Sequence, residues 1–362
     1  MKKIRILSID GGGIRGIIPG VILQYLENQL QTLDKSQKKI GDYFDLIAGT
    51  STGGILACAY LVPNDSGSAR YGANEALNLY LKEGAGIFNN SFLSRVGSAF
   101  GFMGPKYDVK PLENDLLDFF GDTLLSSCIK PSMITSYDTV LRKAVFFTSA
   151  DAKAAPDIPD SYNNDYRLRD VARATSAAPT YFEAAQIKRI GTPHAPPGVT
   201  DPNEVLTLID GGVYANNPGM CAYAEARKTK FSSILNDPQK PDNPTAREMI
   251  IVSLGTGTME RPYPFSQIGD AGEVKWLEPI LDILMSSNAE TVKYQLHQMF
   301  DTLPPEDGQD YYRLDPELNG ASQEMDDTSP ANLNLLNNAG QAFIAKNKDL
   351  LDKIAAKLCS HA

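Results

Sequence analysis

The chain has 362 residues, 42% hydrophobic and 22% charged, enough to bury a sizeable core in one large domain or two small ones. Lys and Arg number 34 against 44 Asp and Glu, and the net charge of −10 disfavours nucleic acid and any docking to anionic lipid by charge. The four cysteines (Cys58, Cys128, Cys221, Cys359) are scattered, with no Cys-x-x-Cys pair, which excludes the usual zinc patterns and gives no disulfide framework.

Residues 4–9 read as a short buried strand, stopped by Asp10 and three glycines. This apolar run is too short for a signal-peptide core, and no stretch approaches the ~18 apolar residues of a membrane span. The expected location is therefore cytoplasmic, at most peripheral at a membrane. Residues 14–33 have helical spacing (Ile17, Val21, Leu26, Leu30), residues 43–48 read as a second strand and residues 55–61 as a second helix. Strand, helix, strand, helix is the pattern of a parallel sheet wrapped by helices. From residue 81 to 107 the pattern loosens. Strand-like pieces return at 133–135 and 144–148, a helix at 167–176 is broken by Pro179, and residues 191–204 form a Pro- and Gly-rich loop. Two further buried strands at 206–209 and 249–254 run into glycines, and residues 331–358 close the chain with helix. With no repeat and no convincing linker, residues 1–362 are read as a single domain.

Gly49-Thr50-Ser51-Thr52-Gly53, a G-x-S-x-G between a strand and a helix, is the strongest chemical signal. A serine on so sharp a turn needs small neighbours, and the helix behind it aims N–H groups at developing negative charge. Asp10-Gly11-Gly12-Gly13-Ile14-Arg15-Gly16 supports two readings. Gly11, Gly13 and Gly16 satisfy the dinucleotide fingerprint, but no acid ends the second strand, where Asp45 lies inside it. Alternatively, adjacent parallel strands would set the glycine loop beside Ser51 as an oxyanion hole. Asp210-Gly211-Gly212, again at a strand end, offers a base for the serine, although Asp alone is ordinarily a turn residue. His297 is the rival, completing a Ser–Asp–His order. It sits in a helical stretch, however, and the α/β-hydrolase fold that uses this order places its serine after several strands, whereas Ser51 follows one strand and one helix, so a Ser51–Asp210 dyad is preferred. Partial burial would raise the aspartate from its ordinary value toward a useful base. Residues 87–103 carry Phe88, Phe92, Phe100 and Phe102, which either cover the sheet or form a lid.

Together with residues 178–182, 253–258 and 324–327, these motifs resemble the patatin family of lipid acyl hydrolases over nearly the whole chain. The resemblance implies a three-layer α/β/α fold with a mostly parallel central sheet and a Ser51–Asp210 dyad without histidine. It implies an oxyanion hole from the N–H groups of Gly12 and Gly13, with Arg15 at the family's basic position. Neither metal nor cofactor is implied. Its substrates would be phospholipids, galactolipids or partial glycerides at a membrane or micelle surface, and no stable protein partner is inferred.

Overall fold

In strand β1 (Ile4–Ile9), Ile4 and Ile6 enter one apolar core while Leu7 and Ile9 enter another, the period of two that a strand buried on both faces requires. Strands β2 (Leu46–Gly49) and β7 (Met249–Leu254) divide in the same way: Leu46, Ala48, Met249 and Ile251 face one core, and Ile47, Ile250, Val252 and Leu254 the other. Helices must therefore cover both faces. The computed structural model describes residues 2–87, 104–153, 165–190, 205–258, 262–270 and 272–361. One face is covered by α1 (Ile17–Asp34), α2 (Thr52–Leu61), α3 (Ala73–Ile87), α4 (Lys110–Phe120), α5 (Leu168–Thr175), α8 (Pro330–Lys346) and α9 (Lys348–Ser360). The other is covered by α6 (Gly219–Lys228) and the C-terminal half of α7 (Glu273–Asp301).

The remaining strands are β3 (Ser132–Asp138), β4 (Lys143–Thr148), β5 (Ala185–Lys188), β6 (Val205–Asp210) and β8 (Tyr311–Leu314). Among the described residues the sheet order is β5-β6-β3-β2-β1-β7-β8, with β4 also on β3. Strands β3, β2, β1, β7 and β8 run parallel, whereas β4 and β6 pair antiparallel with β3, and β5 antiparallel with β6.

One detail of register builds the site. Strand β4 pairs along β3 from Met133 to Asp138 and so occupies one whole edge. Both β2 and β6 must then share the other edge. Gly49 of β2 stands opposite Ile134, and Asp210 of β6 stands opposite Ser136. The two strands therefore run toward each other along β3 and stop two residues apart, about 7 Å at strand spacing. Whatever follows Gly49 meets whatever ends β6.

Several boundaries differ from the sequence reading. A 3-10 turn, Gly13–Gly16, precedes α1, which starts at Ile17. A second such turn, Ile40–Tyr43, delays β2 to Leu46, so Asp45 lies just before the strand and not within it. The closing helix is two helices divided at Asn347. The loop expected at 191–204 and nearly all of the expected lid at 87–103 lie outside the described residues.

Candidate active site

Ser51 sits between β2 and α2 with φ 54° and ψ −125°, a left-handed backbone that costs a non-glycine residue of order 1–3 kcal/mol. The turn is clamped on several sides. Thr175 Oγ1 accepts the Ser51 N–H at 2.9 Å, and Thr50 Oγ1 donates to the Ala215 carbonyl at 2.6 Å. The flanking glycines are required by close approach: a Cβ on Gly49 would strike the Gly53 carbonyl, and one on Gly53 the Ile9 carbonyl of β1.

Asp210 ends β6 and is buried. Gly211 and Gly212 open the short helical turn Gly212–Ala215 behind it, and the Gly212 N–H donates to Asp210 Oδ1 at 2.7 Å. Burial pushes the carboxyl up to about 7, while the neighbouring Ser51 hydroxyl and the Gly212 N–H pull it partly back. An aspartate at about 7 changes charge near neutrality, where a proton acceptor is most useful.

The glycine loop lies where adjacent parallel strands put it. Ile9 pairs with Gly49, and a Cβ on Gly11 would come within 3.1 Å of the Ser51 Cβ. The loop is pinned on either side: the Gly11 N–H donates to Asn216 O at 3.1 Å and the Ile14 N–H to Met325 O at 2.8 Å. Between these bonds, the N–H groups of Gly12 and Gly13 have no partner among the described residues. Gly13 adopts φ 59°, and a Cβ there would strike the Met325 carbonyl, a place only glycine fills without strain. Gly16 closes the 3-10 turn.

Asp10 is buried under the loop and accepts from Arg313 Nη2 at 2.7 Å. Burial raises it to about 6, with Arg313 opposing. Arg15 is 3% exposed; its Nε donates to the Gly12 carbonyl at 3.2 Å, and its Nη1 has no partner among the described residues. Burial lowers the guanidinium pKa, with Asp282 the largest opposing charge.

Two neighbouring cavities share this region. The apolar one, about 80 Å³, is lined by Ser51, Asp210, Gly13, Ile55, Leu112 and Phe182, among others. The larger, about 320 Å³, is lined by Asp10, Arg15, Thr256, Asp282 and Glu324, with Tyr181, Leu281, Met285 and Met325 common to both. Asn216, Thr175 and Arg313 help to fix the loops, and sequence reading did not find them. Asn216 could have been suspected from its place just beyond the Asp210 glycines, whereas nothing around Arg313 marks it.

His297 lies elsewhere. It belongs to α7, sits 3.5 Å from Asp301 and meets the Tyr311 ring edge-on at 4.9 Å, and it lines neither cavity. His361 Nδ1 accepts from the Lys3 N–H, and His194 is outside the described residues. Asp45 is held by Arg5 and Lys240 just ahead of β2, at the opposite end of the strand from the glycine loop. The dinucleotide reading therefore has no acid at the position it needs. No cluster able to hold a metal ion occurs among the described residues.

A helix-sandwiched sheet that seats a strained serine against a buried aspartate defines an α/β protein of the patatin-like class. Residues 7–222 match the family model described as Patatin-like phospholipase, and the chain belongs to that family. It is similar to "Patatin-like protein 2" of Oryza sativa subsp. indica, 33% identical over 97% of this chain and 86% of that one. It is likewise similar to "Patatin group J-1" of Solanum tuberosum (32%, covering 95% and 84%) and "Patatin-like protein 2" of Arabidopsis thaliana (34%, covering 95% and 83%).

Proposed function

We propose that the chain is a single-domain lipid acyl hydrolase that cleaves fatty-acyl esters through Ser51 and Asp210. Family membership supports ester hydrolysis of lipids. The observation that carries the rest is the head-on approach of β2 and β6 along β3, which puts a strained serine and a carboxyl poised near 7 in one apolar cavity.

In this reading Ser51 Oγ attacks the ester carbonyl carbon as its proton passes to ionised Asp210. The Gly12 and Gly13 N–H groups, free of other bonds among the described residues, stabilise the oxyanion. The carbon–oxygen bond to the alcohol then breaks, and Asp210 returns the proton to the leaving oxygen. Water attacks the acyl-enzyme and gives its proton to Asp210; the acyl carbon–Oγ bond then breaks, the fatty acid leaves and Asp210 returns the proton to Ser51 Oγ. The apolar cavity suits the acyl chain, each buried methylene contributing about 0.8 kcal/mol. The larger cavity, with the orphan Arg15 N–H, suits the polar glycerol side of a phospholipid, galactolipid or partial glyceride.

A panel of phospholipid, galactolipid and partial-glyceride substrates tests the reading with wild type, Ser51→Ala, Asp210→Asn and His297→Ala. The first two substitutions abolish turnover and the third leaves it largely intact. A folded His297→Ala protein without activity would restore a histidine triad.

A further inference from the structure

Helix α7 changes character along its length. In its C-terminal half Val292, Leu296 and Phe300, four residues apart, are buried in the second core, while Tyr294, Gln295 and Gln298 face solvent. Continued toward the N-terminus, the same stripe reaches Asn288, Met285 and Leu281, where it leaves the core. Asn288 Nδ2 donates to the Tyr214 carbonyl at 2.7 Å, and Leu281 and Met285 line both cavities. The outer side of this half would be polar in an ordinary surface helix. Instead it carries Ile280, Ile283 and Leu284, 46%, 39% and 42% exposed, at spacings of three and four that form one strip. Tyr263 lines the larger cavity and donates to Asp282 at 2.9 Å, and two residues on Phe265 is 85% exposed.

We propose that the outer face of α7, with Phe265, is the surface by which the protein enters an uncharged or zwitterionic lipid surface. The inference rests on the acyl hydrolase reading. Here the cavity wall is one helix thick, with Leu281 and Met285 on its inner side and Ile280, Ile283 and Leu284 on its outer side, and an acyl chain can pass from lipid over Ile280 and Leu284 to Leu281 and Met285 without crossing water. Apolar on both sides, such a helix is normally buried, and exposed apolar strips of this kind mark interaction surfaces. Charge narrows the partner. The chain carries −10, Asp282 and Glu290 stand on the same helix at the cavity, and the sole cation between residues 273 and 289 is Lys275. An anionic bilayer is repelled, so attachment comes from apolar insertion.

The test separates docking from turnover by using Ser51→Ala protein, with and without Ile280→Ser, Ile283→Ser and Leu284→Ser together. In co-sedimentation the parent binds phosphatidylcholine vesicles, insensitively to salt and less well when phosphatidylglycerol is included, and the triple variant binds at least about tenfold more weakly. With Ser51 present, the triple variant hydrolyses a soluble short-chain ester at the parent rate and vesicle lipid about tenfold more slowly. Equal vesicle binding by parent and variant overturns the proposal, as does binding that requires anionic lipid and vanishes with salt. Loss of a dimer in the triple variant with unchanged vesicle binding assigns the face to a second copy and overturns it too. Docking as described by a chain that hydrolyses neither ester nor lipid leaves the surface standing and sinks the hydrolase reading.

Discussion

At pH 8 the buried Asp210 carboxyl is charged in the fold at some expense to stability. Its pKa in the unfolded chain is near 3.9 and in the fold about 7, so between these values the folded protein holds a proton that the unfolded chain has released. Stability therefore falls as pH rises through this window, by up to about 4 kcal/mol when complete. Activity runs the other way, since only the ionised form takes the serine proton. We expect kcat/KM on a soluble ester to rise through about pH 7. We also expect inactive Asp210→Asn to melt above wild type, with a larger margin at pH 8 than at pH 5. A margin unchanged between the two pH values would contradict the burial argument.

At the scale of elements, Asn288 is the rivet between α7 and the turn behind Asp210. Its side chain accepts the Asn217 N–H at 3.1 Å as well as donating to Tyr214 O. Asn288→Ala strands both partners and lowers stability by about 1–3 kcal/mol. Calorimetry checks the stability, and activity should fall by a similar factor on soluble ester and vesicle lipid. A loss confined to vesicles would place Asn288 in lipid contact instead. Helix α7 also shows why part of the fold was illegible. Its first half is apolar on two sides and contains Pro279, so no amphipathic period emerges, and only residues 292–300 read as helix. Strands β5 and β8 are four residues each, too short for a pattern. By contrast β1, β7 and α2 were plain, because strands and helices buried on all sides give unbroken apolar runs. The site motifs were legible because close packing demands their glycines. The encounter of β2 with β6 was not, since it depends on β6 pairing antiparallel with β3, about 70 residues earlier, and such pairing leaves no local trace.

For the whole molecule, a buried charge cluster ties the two ends of the chain together below the sheet. Asp45 accepts from Arg5 Nη2 at 2.8 Å and from Lys240 Nζ at 2.6 Å, and Lys240 donates onward to the Lys3 and His361 carbonyls. These two cations hold Asp45 below the usual carboxylate range against the effect of burial. A depressed carboxylate stabilises the fold above its unfolded pKa and loses that contribution as pH falls through its folded value. Asp45→Ala leaves two buried cations uncompensated, and we expect a loss of about 3–5 kcal/mol in denaturant unfolding at pH 7. The loss should shrink below about pH 4. Soluble-ester kcat in the surviving folded protein should stay near wild type, since the cluster lies at the far end of the strands from Ser51.

If one serine hydroxyl is activated by one carboxylate, labelling with a long-chain alkyl fluorophosphonate has a definite outcome. Intact-mass and peptide analysis should find a single adduct on Ser51, its rate rising through about pH 7, abolished in Asp210→Asn and unchanged in His297→Ala. A folded protein that takes no adduct at Ser51, or whose labelling survives Asp210→Asn but fails in His297→Ala, would contradict the account.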